Sequence, residues 1–247
     1  MKLRNQLSLA AALLLTASAC NVSVENSASD DQALNEQQAQ ANQQQQQQVD
    51  PFASNPQAIE RARQLAAQQQ VSQEQRTRLR EQARTEVQDL NILVDISDRE
   101  LRVRSGERVV ETHPVAVGSS EWPTPTGSWE FHRVDLNPEW NPPKSEEWAA
   151  EETTKAPGDP ENPMGRARLV YRMPNTVHGT DDLNSLGKAV SHGSIRAANE
   201  VALKLGEMLL KAGGAWEGPQ WYQQMKQNRS TEYQVDLPQN IPIKVQE

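Results

Sequence analysis

Apolar and polar residues begin to alternate at Asn91, and the pattern from there onward predicts one β-rich domain over residues 91–247. The apolar run at 92–96 is followed by a turn sequence, Ser97-Asp98-Arg99. Tight turns between short apolar runs are typical of a meander of strands. Further predicted strands are 101–103, 109–110, 115–118, 128–134, 168–172 and 176–177, with a final strand pair at 233–237 and 241–245.

Helical spacing occurs in only two places within this domain. Apolar residues after Asn199 recur every three or four positions and predict a helix that ends at Gly213-Gly214, and a second short helix is expected at 221–226. The stretch 137–163 is rich in Pro, Glu and Trp and is long for a loop, so we interpret it as a functional surface insertion. The pattern therefore predicts a mainly β domain with a few helices (α+β).

Residues 21–90 predict a stalk in front of the domain. The segment 21–54 is dominated by Ser, Asp, Asn and Gln and cannot bury apolar area, so a disordered Gln-rich tether is expected. Asn55-Pro56 is typical of a helix start, and residues 55–90 predict a polar helix with a thin apolar stripe. We interpret this helix as a spacer; a helix that recruits an envelope partner, or one that lies against the domain, is the alternative.

The first twenty residues predict an export signal. Lys2 and Arg4 precede a short Leu- and Ala-rich run, and the small residues 17–19 stand directly before Cys20. This pattern resembles the bacterial lipoprotein signal, in which the Cys is lipidated and becomes the N-terminus. The resemblance implies a lipid-anchored, periplasm-facing protein of the cell envelope, and Asn21 favours the outer membrane. The alternative is ordinary cleavage after Ala19.

Composition excludes several classes of function. The net charge of −8 and the isoelectric point near 5.2 argue against nucleic-acid binding, which requires a basic face. The single cysteine excludes an internal disulfide and a Cys-based zinc site. Asp181 and Asp182 near His178 are better explained as solvated turn residues than as metal ligands. We therefore expect neither a metal nor another cofactor.

Two short segments carry the chemically interesting residues. His178-Gly179-Thr180 ends a predicted strand, and the segment 191–196 (Ser-His-Gly-Ser-Ile-Arg) stands just before the predicted helix. A serine at a loop-to-helix junction can present its hydroxyl together with backbone N–H groups that suit an oxyanion. A histidine from the neighbouring strand can accept the hydroxyl proton. The pattern is compatible with nucleophilic catalysis by Ser194 with His178 as the base; the alternative is that these short fragments, which are common in proteins, carry no chemistry.

These segments resemble the active-site signature of the L,D-transpeptidase (YkuD, ErfK-type) family. The matching motifs are His178-Gly179-Thr180, the Ser-Leu-Gly sequence at 185–187 and the segment 191–196. The strands at 91–118, Pro125-Thr126-Gly127 and the Trp-Asn-Pro-Pro sequence at 140–143 agree with it. The resemblance implies a YkuD-like β-sandwich domain. It also implies acyl transfer on peptidoglycan stem peptides, in which the bond before a terminal D-Ala is cut and an amine or water takes the acyl group.

The resemblance also implies residue roles. His178 corresponds to the proton acceptor, and the carbonyl of Gly179 would orient its ring. The backbones of His192 and Gly193, with that of the nucleophile, would form the oxyanion hole. Implied substrate contacts are Arg196, which would hold the pocket or a substrate carboxylate, Ser191 and Thr180.

This chain carries Ser194 where the family has its nucleophilic cysteine. A thiol with a pKa of about 8.5 readily becomes a thiolate beside a histidine, whereas a hydroxyl must lose its proton during the attack itself. Three interpretations follow: a working oxygen nucleophile, a catalytically impaired lipoprotein that binds peptidoglycan, or a site adapted to hydrolysis. A carboxylate or a well-placed carbonyl behind His178 would favour an enzyme over a binding protein.

Overall fold

The computed structural model describes residues 56–247, in which strands predominate from Leu90 onward. The helices are α1 (Pro56–Glu86), α2 (Asn199–Ala212) and α3 (Pro219–Gln227). The strands are β1 (Leu90–Asp95), β2 (Glu100–Ser105), β3 (Arg108–Pro114), β4 (Val117–Gly118), β5 (Gly127–Leu136), β6 (Ala167–Arg172), β7 (Asn175–Thr180), β8 (Ala189–Ser191), β9 (Ile195–Ala198) and β10 (Tyr233–Gln246). The prediction of a mainly β domain with a few helices is confirmed. The predicted signal segment, Cys20 and the 21–54 tether lie outside the described residues.

One eight-stranded sheet dominates the domain, in the order β3-β2-β1-β10-β5-β6-β7-β9. The pairs β1–β10 and β7–β9 are parallel and the other neighbours are antiparallel. Strands β4 and β8 form a separate parallel pair. Residues 66–247 make up one compact unit. Because β7 and β9 are adjacent and parallel, residues far apart in sequence come to lie side by side at that edge of the sheet.

Alternating burial explains why these segments form strands around a common core. In β1, Ile92 and Val94 are buried, as period-2 patterning requires for a strand with one face on a core. Helix α2 lies across β5, β6 and β7, and residues Leu205 and Leu209 on its inner side are buried. The sheet and this helix therefore form the scaffold that holds the edge strands β7 and β9 in place.

The end of the chain is one strand and not the predicted strand pair. Residues 233–236 and 241–245 of β10 both pair antiparallel with β5, with a register shift between Asp236 and Ile241. Because both parts run in the same direction along β5, the backbone does not reverse between them as a hairpin would. Instead the backbone N–H of Gln239 donates to the carbonyl of Gly213 at 3.0 Å, which ties the bulge to the end of α2.

The sequence predicted that the segment 191–196 stands directly before a helix, but in the structure it leads into a strand. Ile195–Ala198 forms β9, and α2 begins only at Asn199. Strand β9 is four residues long, too short for periodicity to reveal, and it forms because β7 offers a free edge beside it. Ser194 therefore stands at a loop-to-strand junction, and the helix N-terminus that the sequence predicted next to it begins five residues later.

The last turns of α1 pack on the domain. Ala83 is only 4% exposed and belongs to the core. Arg80 pairs with Glu217 at 2.7 Å, and Lys211 pairs with Glu86 at 2.9 Å. Residues 80–86 of this helix therefore lie against the domain, which was one of the alternatives to a spacer. The spacer role of the preceding turns stays a prediction. None of the helices within 56–247 has the length and apolar character that a membrane span requires.

Candidate active site

A cavity of about 810 Å³ opens where β7 meets the loop that precedes β9. His178, Ser194 and Arg196 line it. The insertion 137–163 contributes many of the other lining residues, Trp140 and Trp148 among them. The two sequence motifs and the predicted surface insertion therefore meet at one concave site, which is the usual form of a small-ligand pocket.

The register of β7 and β9 explains how the motif residues meet. Val177 pairs with Ile195 and His178 with Arg196, so Thr176 lies beside Ser194. The backbone N–H of Thr176 donates to Ser194 Oγ at 3.2 Å. Within residues 56–247, the side chains of His178 and Ser194 share no hydrogen bond. Catalytic hydrogen bonds are often long in ligand-free sites and tighten when substrate binds.

His178 is held as a neutral base by its surroundings. Its Nδ1 donates to the carbonyl of Gly179 at 2.9 Å, which leaves the lone pair on Nε2. The pKa of His178 is lowered from 6.5 to about 4: burial is the largest cause, the hydrogen bond to the Gly179 carbonyl opposes it, and the positive charges of Arg196 and Arg168 add to the lowering. A carbonyl, and not a carboxylate, therefore orients this ring. Asp181 instead accepts a hydrogen bond from Asn199 at 2.7 Å.

The loop before β9 presents backbone N–H groups to the cavity. Gly193 has φ +92°, a conformation that glycine adopts without a Cβ penalty. Ser191 Oγ donates to the carbonyl of Ser194 at 2.5 Å and closes the turn. Among the described residues, no protein acceptor receives the N–H of His192, Gly193 or Ser194. Unpaired N–H groups on a cavity wall can stabilise the oxygen of a tetrahedral intermediate.

The imidazole of His192 is enclosed between two tryptophans. Trp148 stacks on it with ring centroids 3.8 Å apart and an interplanar angle of 12°, and Trp122 lies against it at 4.4 Å. Burial lowers the pKa of His192, and the charge of Arg196 acts in the same direction. Since Trp148 belongs to the insertion, this stack fastens the insertion to the active-site loop. The ring of His192 therefore has a packing role.

Internal hydrogen bonds make the insertion an ordered wall. Lys144 Nζ donates to the carbonyl of Ala150 at 3.1 Å, and Asn162 Nδ2 donates to that of Pro138 at 2.8 Å. Lys155 forms an ion pair with Glu161 at 2.8 Å. These contacts hold the short 3₁₀ turn at Glu147–Ala149, which carries Trp148. The pocket is therefore shaped by the insertion as much as by the sheet.

Two arginines of the cavity wall differ in their partners. Arg168 is satisfied by Asp135 at 2.7 Å and Glu232 at 3.1 Å. Arg196 forms no ion pair among the residues that the structure describes, and burial lowers its pKa. A half-buried guanidinium without a carboxylate is suited to bind an anionic group of a ligand. Among the described residues that line the cavity, Arg196 is thus an arginine whose charge is not paired with a carboxylate.

Not every residue suggested by the sequence faces the cavity. Thr180 lies outside the lining, and its hydroxyl accepts a hydrogen bond from the N–H of Asp182 at 3.1 Å. Sequence reasoning missed Thr176 and Asn175, which both line the pocket. Thr176 stands two residues before His178, and this spacing on a strand was a usable signal for a shared face. Nothing in the sequence indicated Asn175.

Potential metal ligands do not cluster at this site. Within 56–247 there is no group of three or more His, Cys, Asp or Glu side chains that could hold an ion. Besides four glutamates and Arg168, the cavity is lined by the hydroxyl of Ser194, the neutral imidazole of His178, the backbone of the loop 192–194 and the guanidinium of Arg196. This set can remove a proton, attack a carbonyl and stabilise the resulting oxyanion.

The comparisons with known proteins identify the domain. A family model described as the L,D-transpeptidase catalytic domain, YkuD, matches residues 90–213, half of the chain. The chain belongs to the L,D-transpeptidase catalytic domain family. The resemblance of its motifs to this family is thereby confirmed. The match ends just after α2, so it includes both strands that carry the candidate site.

Members of the L,D-transpeptidase family show how far the likeness extends. The YkuD protein of Bacillus licheniformis is 32% identical over 119 residues, which are 48% of this chain and 59% of that protein. YbiS of Escherichia coli K12 is 33% identical over 102 residues, 38% of this chain and 33% of that protein. A solved L,D-transpeptidase from Mycobacterium smegmatis has 18% identity and a TM-score of 0.40, covering 64% of this chain and 59% of that chain. The chain thus spans less than two thirds of these relatives.

Proposed function

We propose that this domain catalyses acyl transfer on peptidoglycan stem peptides in cell-wall remodelling. Ser194 Oγ attacks the carbonyl of the third stem residue, and its proton passes to Nε2 of His178. The bond to the terminal D-Ala breaks, and His178 returns the proton to the leaving amine. The resulting ester on Ser194 is then attacked by an amine of a second chain or by water. Family membership and the shared cavity support this assignment.

The observation that carries the proposal is the hydrogen bond from His178 Nδ1 to the Gly179 carbonyl at 2.9 Å. It fixes the tautomer with a basic Nε2, and burial keeps that base neutral at pH 7. The unpaired N–H groups of 192–194 would bind the oxyanion. Arg196 would bind a carboxylate of the stem peptide, and Ser191 would hold the loop in shape.

A second candidate function is a peptidoglycan-binding lipoprotein with an impaired site. It is favoured by one contact, the hydrogen bond that Ser194 Oγ receives from the N–H of Thr176 at 3.2 Å. In this arrangement the hydroxyl oxygen extends the β7–β9 ladder, which is a structural role. The same cavity, with Arg196 on its wall, would still hold a stem peptide.

The anchoring of the chain is also part of the proposal. Cys20 would carry lipid and hold the protein on the periplasmic side of the envelope, with the outer membrane favoured by Asn21. The helix within residues 55–90 would separate the domain from the membrane or recruit an envelope protein. Mass spectrometry of the protein from membranes, compared with Cys20→Ala, tests the lipid; an unmodified Cys20 would contradict it.

The enzymatic proposal is tested by incubating the full chain with a disaccharide tetrapeptide. We expect release of D-Ala and an ester-linked acyl adduct in the intact mass, both absent in Ser194→Ala and in His178→Gln. A wild-type chain that binds the tetrapeptide without releasing D-Ala would favour the binding lipoprotein. Absence of both binding and release would exclude both functions.

A further inference from the structure

We propose that the side-chain amide of Asn175 is an additional oxyanion donor in this active site. The inference rests on the proposed acyl transfer and adds to it a residue outside the motifs. Asn175 begins β7, is 9% exposed and lines the same cavity as Ser194. It is next in sequence to Thr176, whose N–H contacts Ser194 Oγ.

The orientation of this amide is determined by Arg172. Arg172 Nη1 donates to Asn175 Oδ1 at 2.7 Å. A guanidinium has only donors, so it must face the amide oxygen, and the NH₂ group points the other way. The ring of Trp129 lies under the guanidinium, with 5.7 Å between Arg172 Cζ and the ring centroid. Arg172, itself packed on Trp129, therefore holds the Asn175 amide in one orientation.

The NH₂ group of Asn175 points at the loop that carries the nucleophile. A Cβ at position 193 would lie 2.7 Å from Asn175 Nδ2, which shows that the amide nitrogen rests against Gly193. In the part of the chain that the structure describes, Asn175 Nδ2 donates to no acceptor. Its donors thus stand beside the unpaired N–H groups of 192–194, on the wall where the acyl carbonyl must lie for Ser194 to reach it.

A serine nucleophile makes such a donor useful. When Ser194 Oγ adds to the acyl carbonyl, the π electrons move to the carbonyl oxygen and the serine proton moves to His178. Because a hydroxyl attacks less readily than a thiolate, more of the barrier must be removed by stabilising that oxygen. A fixed amide donor acts there without reorganisation. Removing one donor of this kind lowers kcat by about 10²–10³-fold.

Two variants of Asn175 separate a donor from a structural role. Asn175→Leu removes the donor, and Asn175→Asp keeps the shape and the Arg172 contact but replaces NH₂ by an acceptor oxygen. We expect both to lower kcat for D-Ala release about 10²–10³-fold with little change in KM. Asn240→Leu is the matched control, because Asn240 is exposed, does not line the cavity and uses its amide on Glu130. This control should keep kcat within about threefold of wild type.

The outcomes distinguish this inference from the proposed function. Wild-type turnover with a kcat retained in Asn175→Asp would overturn the donor role alone, since only the shape and the Arg172 contact would then matter. An equal loss in Asn240→Leu would also overturn it. No D-Ala release by wild type would overturn the proposed enzymatic function and this inference together. Thermal unfolding of the full chain verifies that both variants at 175 are folded.

Discussion

The buried imidazole of His178 makes the stability of the fold depend on pH in a predictable way. Its pKa falls from 6.5 to about 4 on folding, chiefly because of burial. As the pH drops below 6.5, His178 becomes protonated in the unfolded chain but stays neutral in the folded chain. The folded state therefore loses stability steadily between pH 6.5 and about 4 and recovers it as the pH rises. At about 1.4 kcal/mol per pKa unit, the loss amounts to about 3 kcal/mol.

Chemical denaturation of the full chain at pH 7 and pH 4 measures this effect, with tryptophan fluorescence as the signal. We expect His178→Gln to be less stable than wild type at pH 7 but to lose about 3 kcal/mol less between the two pH values. Asp95 and Glu111, whose pKa values are lowered, weaken the fold in acid in both proteins, so the difference isolates His178. His132→Gln, at an exposed histidine, is the control. Equal losses in wild type and His178→Gln would refute the reasoning.

Three further predictions concern the loop, the insertion and the nucleophile. Gly193→Ala should lower the free energy of unfolding by about 1–3 kcal/mol and abolish D-Ala release, because φ is +92° and the new Cβ would meet Asn175; an unchanged melting temperature would contradict this. Trp148→Ala removes the stack on His192 and should speed amide hydrogen exchange over 144–152 while the β5 amides stay protected. Exchange over 144–152 at the wild-type rate would show that the stack does not hold the insertion in place. Ser194→Cys should acylate about 10-fold faster or more at pH 7, because a thiol gives up its proton to the neutral His178 more readily than a hydroxyl does; acylation no faster than that of wild type would show a site adapted to oxygen.

The sequence predicted the elements whose signals are local. Alternating burial in β1 and helical spacing in α2 are visible in single windows, and both appear close to the predicted positions. The predicted end of the chain was wrong because the bulge between Asp236 and Ile241 depends on a contact with Gly213. Strand β9 was missed because four residues carry no readable period. Elements that exist only through a neighbour cannot be found from their own residues.

The candidate site divides in the same way. His178, Gly179 and the segment 191–196 could be singled out because they form short contiguous motifs. Thr180 shares a motif with His178 yet lies outside the cavity, since the turn to Asp182 uses its hydroxyl. Asn175 belongs to no motif, and its amide becomes relevant only because Arg172 orients it toward Gly193.

By itself, the amino-acid sequence determined which groups are available: a hydroxyl at 194 and no thiol among residues 56–247, an imidazole at 178, and glycine where the backbone must turn. Only the tertiary structure decided what those groups can do. The lowered pKa of His178 comes from burial and from the charges of Arg168 and Arg196, which lie on neighbouring strands. Burial and electrostatic potential sum over everything near an atom in space. Neighbours brought in from distant parts of the chain therefore set the chemistry of this site.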